Sequence, residues 1–146
     1  MKLEKKDKEI LRNLQEDIPL TKEPFKEIAK RVGIEEEELF RRIERLIKLG
    51  IIRKFGLRID VNKVGFSSTL IGMKVPEEQL DLVAKETCKY EFVTHCYARE
   101  GEYNLWITVI GETDEINDFI KKLEEKYEIL NLPVEKRYKI RVKFDA

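Results

Sequence analysis

The stretch from residue 93 to residue 111 limits the possible folds of this chain more than any other part of the sequence. It reads V-T-H-C-Y-A-R-E-G-E-Y-N-L-W-I-T-V-I-G, in which two alternating runs typical of β-strands flank the turn signal Glu100-Gly101-Glu102. A two-residue loop at this turn predicts three cross-strand pairs on one face: Ala98 with Leu105, Cys96 with Ile107, and Thr94 with Val109. Because these side chains are small or apolar, the sequence predicts a β-hairpin with a helix packed on this face.

The opposite face of the predicted hairpin is polar and aromatic. In the same register it carries six side chains: His95, Tyr97, Arg99, Asn104, Trp106 and Thr108. The chain's single histidine and single tryptophan are both among them. A face of this composition predicts contact with a ligand, a second subunit or both.

Residues 1–62 show the helical periodicity of a helix-turn-helix unit. Three helices are predicted: residues 3–15, a second from an N-cap at Thr21 to a stop at Gly33, and residues 35–49. A tight glycine turn between the second and third helices is typical of this motif. Residues 51–59 alternate as a strand does, and we interpret them as a wing.

Residues 63–146 have the pattern of a second domain. The predicted elements are a strand over 66–75, a helix over 76–90, the hairpin, a helix over 113–127 and a last strand over 134–144. This βαββαβ order predicts a ferredoxin-like domain, with a four-stranded antiparallel sheet and both helices on one face. The fold class is therefore α+β, with a winged helix-turn-helix domain followed by a ferredoxin-like domain of the ligand-binding and dimerisation type.

The charge balance of the 146-residue chain argues against a general affinity for nucleic acid. Lys and Arg total 29, as do Asp and Glu, so the formal net charge is zero. Cys88 and Cys96 lack the CxxC spacing of zinc or dithiol sites, so both are predicted to be buried, small hydrophobic residues. The N-terminus has no apolar signal region and no apolar run is long enough to span a bilayer, which predicts a soluble cytoplasmic protein.

The start of the third helix opposes DNA binding. A recognition helix presents basic or amide side chains to DNA at its N-terminal end, but here that position holds the run E-E-E-E at residues 35–38. Four carboxylates suit the helix dipole and repel phosphates. Although Arg41, Arg42 and Arg45 follow, we predict that the helix-turn-helix unit serves as a scaffold and that DNA is not a partner.

The domain order resembles the Lrp/AsnC family of regulators over nearly the whole chain. Two stretches, G-I-I-R-K-F-G at residues 50–56 and H-C-Y-A-R-E-G-E-Y-N-L-W at 95–106, resemble the siroheme decarboxylases within that superfamily. The resemblance implies removal of carbon dioxide from two acetate side chains of siroheme, giving didecarboxysiroheme in heme biosynthesis. It also implies no cofactor beyond the iron of siroheme itself, and either a homodimer or a heterodimer with a paralogous subunit. Two alternatives remain, a DNA-binding regulator that senses an amino acid and a dimer that binds a tetrapyrrole without turnover.

The resemblance and the chemistry together suggest roles for particular residues. Loss of carbon dioxide from an acetate leaves electron density on the carbon attached to the ring, so the site needs a proton donor. His95 is the candidate acid, with Tyr97 as its orienter or a second acid, and an axial ligand of the siroheme iron is the other possible role of His95. Seven residues are candidates for binding the substrate's carboxylates or ring: Arg53, Lys54, Phe55, Arg99, Tyr103, Trp106 and Arg137. For Trp106 a place in a dimer core is an alternative role, and for Asn104 so is stabilisation of the hairpin end.

Overall fold

The structure is a computed structural model that describes residues 2–145 and contains two compact units. Met1–Leu57 and Lys139–Ala146 belong to the first unit, and Arg58–Tyr138 form the second. The predicted boundary after residue 62, with residues 63–146 as one domain, stays a prediction. The two compact units change after Leu57, and residues 139–145 group with the first unit.

Three helices form the first unit, as predicted. They are α1 (Lys5–Glu16), α2 (Pro24–Val32) and α3 (Glu36–Lys48). Their apolar stripes meet in one core of buried residues: Ile10, Ile28, Ala29, Val32, Leu39 and Ile43. Gly33 ends α2 in the left-handed conformation, with φ 76°, as expected of a helix C-terminus. The predicted cap at Thr21 is wrong, because α2 begins after Glu23 with proline in its first turn.

The predicted wing does not form, because residues 51–59 contain no strand. The N–H groups of Ile51 and Ile52 donate to the carbonyl of Leu46, at 3.0 and 3.2 Å. These bonds satisfy a carbonyl at the end of α3 and fold the segment back onto the helix, where both isoleucines are half-buried. Further along the segment the alternation corresponds neither to strand pairing nor to burial, because Leu57 and Ile59 are 90% and 64% exposed.

The second unit has the predicted βαββαβ order. Its elements are β1 (Ser67–Met73), α4 (Leu80–Thr87), β2 (Val93–Ala98), β3 (Leu105–Gly111), α5 (Thr113–Lys126) and β4 (Ile129–Pro133). All neighbouring strands are antiparallel, in the order β2-β3-β1-β4. Both helices contribute to one core against one face of the sheet, and its buried residues include Ile71, Met73, Leu105, Ile107, Val109, Val83, Phe119 and Ile120.

The last strand lies earlier in the chain than predicted. Strand β4 covers Ile129–Pro133, whereas residues 134–145 contain no strand. Helix α5 ends at Lys126, and β4 begins only three residues later, at Ile129. Within β4, Leu130 pairs with Gly72 of β1. Pro133 has no N–H group to extend the ladder, so it is a natural end for the strand.

The hairpin keeps the predicted register near its turn and departs from it at the far end. Four pairs follow the expected register: Ala98 with Leu105, Tyr97 with Trp106, Cys96 with Ile107 and His95 with Thr108. The predicted pairing of Thr94 with Val109 is wrong, because a β-bulge between Val93 and His95 pairs Val93 with Val109 instead. Thr94 is the extra residue of the bulge and has no register partner on β3. His95 therefore stays opposite Thr108 on the polar face.

The two cysteines differ in environment, which corrects the prediction that both are buried. Cys88 is exposed and Cys96 is half-buried on the helix-covered face. Burial, aided by a hydrogen bond with Cys88, raises the pKa of the Cys96 thiol to about 11. The reactive thiolate of Cys96 is therefore scarce at neutral pH.

This difference predicts selective thiol labelling. At pH 8 we expect iodoacetamide to label Cys96 at least about tenfold more slowly than Cys88, because only thiolates react. The Cys96 rate should rise about tenfold per pH unit up to pH 10, as its thiolate fraction does below the pKa. Mass spectrometry of Cys88→Ser and Cys96→Ser, each with one thiol, measures both rates. Equal rates at pH 8 would contradict the assigned burial.

Among residues 2–145, no helix combines the length and the apolar character needed to cross a bilayer.

Candidate functional site

The helix-free face of the sheet in the second unit carries the polar and aromatic side chains that the hairpin pattern predicted. Two rows of residues cross all four strands: Tyr97, Trp106, Gly72 and Leu130 in one, and His95, Thr108, Leu70 and Leu132 in the other. We call these eight residues the open sheet face. His95 and Tyr97 are exposed and Trp106 is half-buried, so the face offers both apolar surface and titratable groups.

Trp106 is held in place over a glycine of the neighbouring strand. A β-carbon added at Gly72 would lie 2.9–3.1 Å from the Cη2, Cζ3 and Cζ2 atoms of the Trp106 ring. The indole N–H donates to the carbonyl of Tyr103 at 2.8 Å, which fixes the ring from its other side. Only glycine leaves room for this ring. Gly72 was not among the predicted site residues, although a glycine inside an apolar strand signals close approach by another group.

Replacement of Gly72 by alanine should therefore displace Trp106. We expect Gly72→Ala to shift the emission of this single tryptophan and to cost about 1–3 kcal/mol of stability, because the new methyl group overpacks the site. Fluorescence and urea unfolding measure the two effects. Ser68→Ala, in the same strand, is the control and should change neither. Unaltered emission in Gly72→Ala would show that the ring does not lie over residue 72.

Arg99 lies above the aromatic side chains of the hairpin. Its guanidinium carbon is 4.8 Å from the centre of the Tyr97 ring and 5.7 Å from that of Trp106. These cation–π contacts orient the guanidinium without neutralising it. Arg99 makes no ion pair within residues 2–145, so its charge remains available to a carboxylate ligand.

The bulge at Thr94 determines which nitrogen of His95 is available. The Thr94 hydroxyl donates to the carbonyl of Thr108 at 3.3 Å and lies 3.0 Å from His95 Nδ1. Because that hydroxyl has a single proton, the bond to Thr108 leaves its oxygen to accept from Nδ1–H. The neutral ring then has its lone pair on Nε2, which can bind a metal, and the protonated ring can donate from Nε2. Thr94 was assigned to the other face, so this contact was missed.

Asn104 and Tyr103 are engaged within the protein. The Asn104 amide accepts from the Val75 N–H at 2.9 Å and donates to the Val75 carbonyl at 2.7 Å, which clamps the hairpin end to the residues after β1. This is the stabilising role predicted as the alternative for Asn104. The Tyr103 hydroxyl donates weakly to Glu128 at 3.5 Å, and Lys74 lies 5.1 Å above the Tyr103 ring.

Arg137 lies outside the strands of the sheet. Its Nη1 atom is 3.3 Å from an Oδ2 oxygen of Asp60, in an ion pair within the second unit. A ligand carboxylate would have to compete with Asp60 for this guanidinium, which distinguishes Arg137 from the unpaired Arg99.

The first unit holds the other three predicted site residues together in one cleft. Arg53, Lys54 and Phe55 line a cavity of about 710 Å³ whose apolar walls include Leu11, Leu14, Ile18, Ile52 and Phe144. We call it the helical cleft. Arg53 and Lys54 are exposed and make no ion pair in the described part of the chain. The cleft thus joins flat apolar surface to two available cations.

Two arginines of α3 are bound to carboxylates. Arg42 bonds Glu4 at 2.9 Å, Asp7 at 3.0 Å and Glu38 at 3.0 Å, and Arg45 also bonds Asp7, which is fully buried. These hydrogen bonds, with Glu4 the strongest, raise the pKa of Arg42 above its ordinary value. The pairing occupies two of the three arginines that follow the acidic start of α3, whereas Arg41 makes no ion pair among residues 2–145, so the absence of DNA binding stays a prediction.

Two sequence profiles of known families match the chain. Residues 7–53 match the siroheme decarboxylase NirDL-like HTH domain, and residues 63–139 match the AsnC-like ligand binding domain.

Individual relatives and solved structures are also similar to this chain over most of its length. The siroheme decarboxylase alpha subunit of Desulfovibrio desulfuricans is 39% identical over 142 residues, a match that covers 94% of this chain and 82% of the relative. The crystal structure of the siroheme decarboxylase NirDL in complex with an iron-uroporphyrin III analogue matches with a TM-score of 0.71 and 36% identity, over 87% of this chain and 43% of that one. The structure of E. coli AsnC, at 19% identity, a TM-score of 0.81 and coverage of 97% of this chain and 98% of that one, shows the likeness of fold alone.

Proposed function

Because the chain belongs to the siroheme decarboxylase family, we propose that it is a decarboxylase subunit, a carboxy-lyase that removes two acetate carboxyl groups of siroheme. This membership confirms the resemblance drawn from R-K-F-G and the hairpin motif. The observation that supports particular residues as the site is the arrangement of the open sheet face. There His95 is exposed beside Tyr97 and Trp106, over which Arg99 stacks.

The proposed reaction needs a proton and no oxidant. In each acetate, the bond between the methylene carbon and the carboxylate breaks, and carbon dioxide leaves. The electron pair stays on the methylene carbon, where conjugation with the pyrrole spreads it, and one proton converts this carbon to a methyl group. Two rounds therefore release two molecules of carbon dioxide and consume two protons. The iron belongs to the substrate, and no further cofactor enters this balance.

His95 is the proposed proton donor. Its Nδ1 is held by Thr94, so the protonated ring presents Nε2–H to the substrate. Tyr97, on the same face, orients the acid or acts as a second one. The alternative is that neutral His95 binds the siroheme iron through Nε2.

Substrate-binding roles are proposed for the available cations and for flat apolar side chains. Siroheme carries several carboxylates, and Arg99, Arg53 and Lys54 are cations without a carboxylate partner in residues 2–145. Trp106 and Phe55 offer surface to the ring. We assign secondary roles to Tyr103 and Arg137, which would have to exchange protein contacts for ligand contacts.

A second subunit is also proposed. The Desulfovibrio relative is named an alpha subunit, which implies assembly with another chain. On the open sheet face, Leu130 and Leu132 are 37% and 45% exposed, and a partner would bury them. We propose either a heterodimer with a paralogous subunit or a homodimer.

Anaerobic incubation with siroheme tests the proposed function. The purified chain, alone and with its closest paralogue from the same genome, is incubated with siroheme, and the tetrapyrrole is then analysed by mass spectrometry. Loss of two carbon dioxide units is the expected result. Binding without a mass change would indicate a tetrapyrrole carrier. No binding with the paralogue present would return the chain to the class of regulators that sense an amino acid.

A further inference from the structure

We propose that Phe144, held by Gln15, is a substrate-positioning residue. Residues 139–145, which we call the C-terminal strap, belong to the first unit, and Phe144 lines the helical cleft. The ring of Phe144 packs against an apolar part of the bound tetrapyrrole while Arg53 and Lys54 bind its carboxylates. This inference rests on the proposed function, because it takes siroheme to be the ligand.

A pair of hydrogen bonds fixes the backbone of Phe144. Its N–H donates to Gln15 Oε1 at 2.7 Å, and its carbonyl accepts from Gln15 Nε2 at 2.9 Å. The side-chain amide of α1 thus binds both polar backbone groups of one residue, as a neighbouring strand would. This contact determines where the Phe144 side chain leaves the strap.

Ion pairs on either side of Phe144 hold the strap to the same helix. Arg12 bonds Asp145 at 2.6 Å, and Lys143 bonds Glu16. The hydrogen bond and the charge of Lys143 hold the pKa of Glu16 below its ordinary value. Three neighbouring strap residues therefore have partners on α1, and the amide contact lies between the two ion pairs.

The ring that this arrangement presents is unburied. Phe144 is 71% exposed although it lines the cleft, and Phe55 in the same cleft is 41% exposed. Within the described chain the lining cations are Arg53 and Lys54, and no lining residue is acidic. Exposed rings beside unpaired cations are suited to a flat, apolar molecule that carries carboxylates. The cleft volume of about 710 Å³ lies within the usual range of ligand pockets.

Positioning through Phe144 has a definite kinetic consequence. Phenylalanine has no titratable or nucleophilic group, so it cannot take part in the proton transfer. Removal of its ring should raise KM and the dissociation constant while leaving kcat nearly unchanged. Release of the strap by loss of the Gln15 amide should have the same effect, because the ring then loses its fixed position.

The test compares four variants of the full chain, assembled with the paralogue if activity requires it. We expect Phe144→Ala and Gln15→Ala to weaken binding of iron-uroporphyrin III, followed by its absorbance, and to raise KM for siroheme, each about tenfold. Phe144→Leu should recover most of the affinity. Val142→Ala is the matched control, since it trims an exposed side chain of the same strap that does not line the cleft.

The outcomes separate this inference from the proposed function. Wild-type affinity and KM in Phe144→Ala, in a preparation whose wild type decarboxylates siroheme, would overturn the positioning role and leave the proposed function intact. An equal loss in Val142→Ala, or a fall in kcat with KM unchanged, would also overturn it. If the wild type, assembled with its partner, neither binds nor converts siroheme, the proposed function is wrong, and the role of Phe144 that depends on it is wrong with it. Thermal unfolding midpoints identify any variant that fails to fold, and Phe144→Leu then decides.

Discussion

Loss of the His95 imidazole should lower kcat for siroheme decarboxylation by about 10²- to 10⁴-fold, the usual contribution of a general acid. His95 is exposed, so His95→Ala should leave the unfolding transition unchanged. The assay is the anaerobic conversion of siroheme with saturating substrate. Activity within a few-fold of the wild type would exclude His95 as the acid.

The same variant distinguishes the two roles of His95. If the imidazole is the acid, His95→Ala should bind siroheme with an unaltered absorbance spectrum, and added imidazole should restore part of the rate. If it is the axial ligand, the spectrum of bound siroheme should change, since the iron loses a nitrogen donor. Thr94→Val serves as a control for positioning, because it removes the partner of Nδ1 and keeps the ring. Its effect on kcat should be smaller than that of His95→Ala.

The largest expected effect on stability comes from Asp7, the buried carboxylate of the first unit. Asp7 is 0% exposed and bonds both Arg42 and Arg45, and its side chain also accepts from the Glu4 N–H at 3.3 Å. We expect Asp7→Ala to lower the free energy of unfolding by about 3 kcal/mol, because it removes hydrogen bonds to two charged arginines, each worth about 1.5–3 kcal/mol, while Arg42 keeps Glu4 and Glu38 as partners. Urea unfolding followed by circular dichroism measures the change.

Glu4 offers a matched control for this prediction. Its side chain bonds the same Arg42 but is 65% exposed, so Glu4→Ala should cost only about 0–1 kcal/mol. Asp7→Asn keeps the shape of the side chain and removes its charge, and its cost should lie between the two. Equal destabilisation by Asp7→Ala and Glu4→Ala would contradict the argument from burial.

Much of the fold followed from local patterns. Helical periodicity predicted α1, α2 and α3 to within a few residues, and Gly33 ended α2 where a left-handed glycine was expected. The alternation of residues 93–111 predicted both hairpin strands and most of their register. These features depend on neighbours three or four residues apart in a helix, or directly opposite in a tight hairpin, so the sequence contains the necessary information.

The errors concern segments whose structure depends on distant partners. Residues 51–59 and 134–144 alternate as strands do, yet neither forms one, because alternation cannot supply a neighbouring strand for the hydrogen bonds. The bulge at Thr94 is also invisible in the pattern, and it sets the hydrogen bond of His95.

The sequence by itself determined the family, the order of helices and strands, and the face on which His95, Tyr97, Arg99 and Trp106 lie. Only the tertiary structure decided which of the predicted cations are available: Arg42, Arg45 and Arg137 are paired with carboxylates, whereas Arg53, Lys54 and Arg99 are unpaired within residues 2–145. It alone placed Gly72 beneath Trp106 and Phe144 beside Gln15. The physical reason is that side-chain charge and periodicity are local properties, whereas pairing and close approach depend on residues that folding brings together from far apart in the chain.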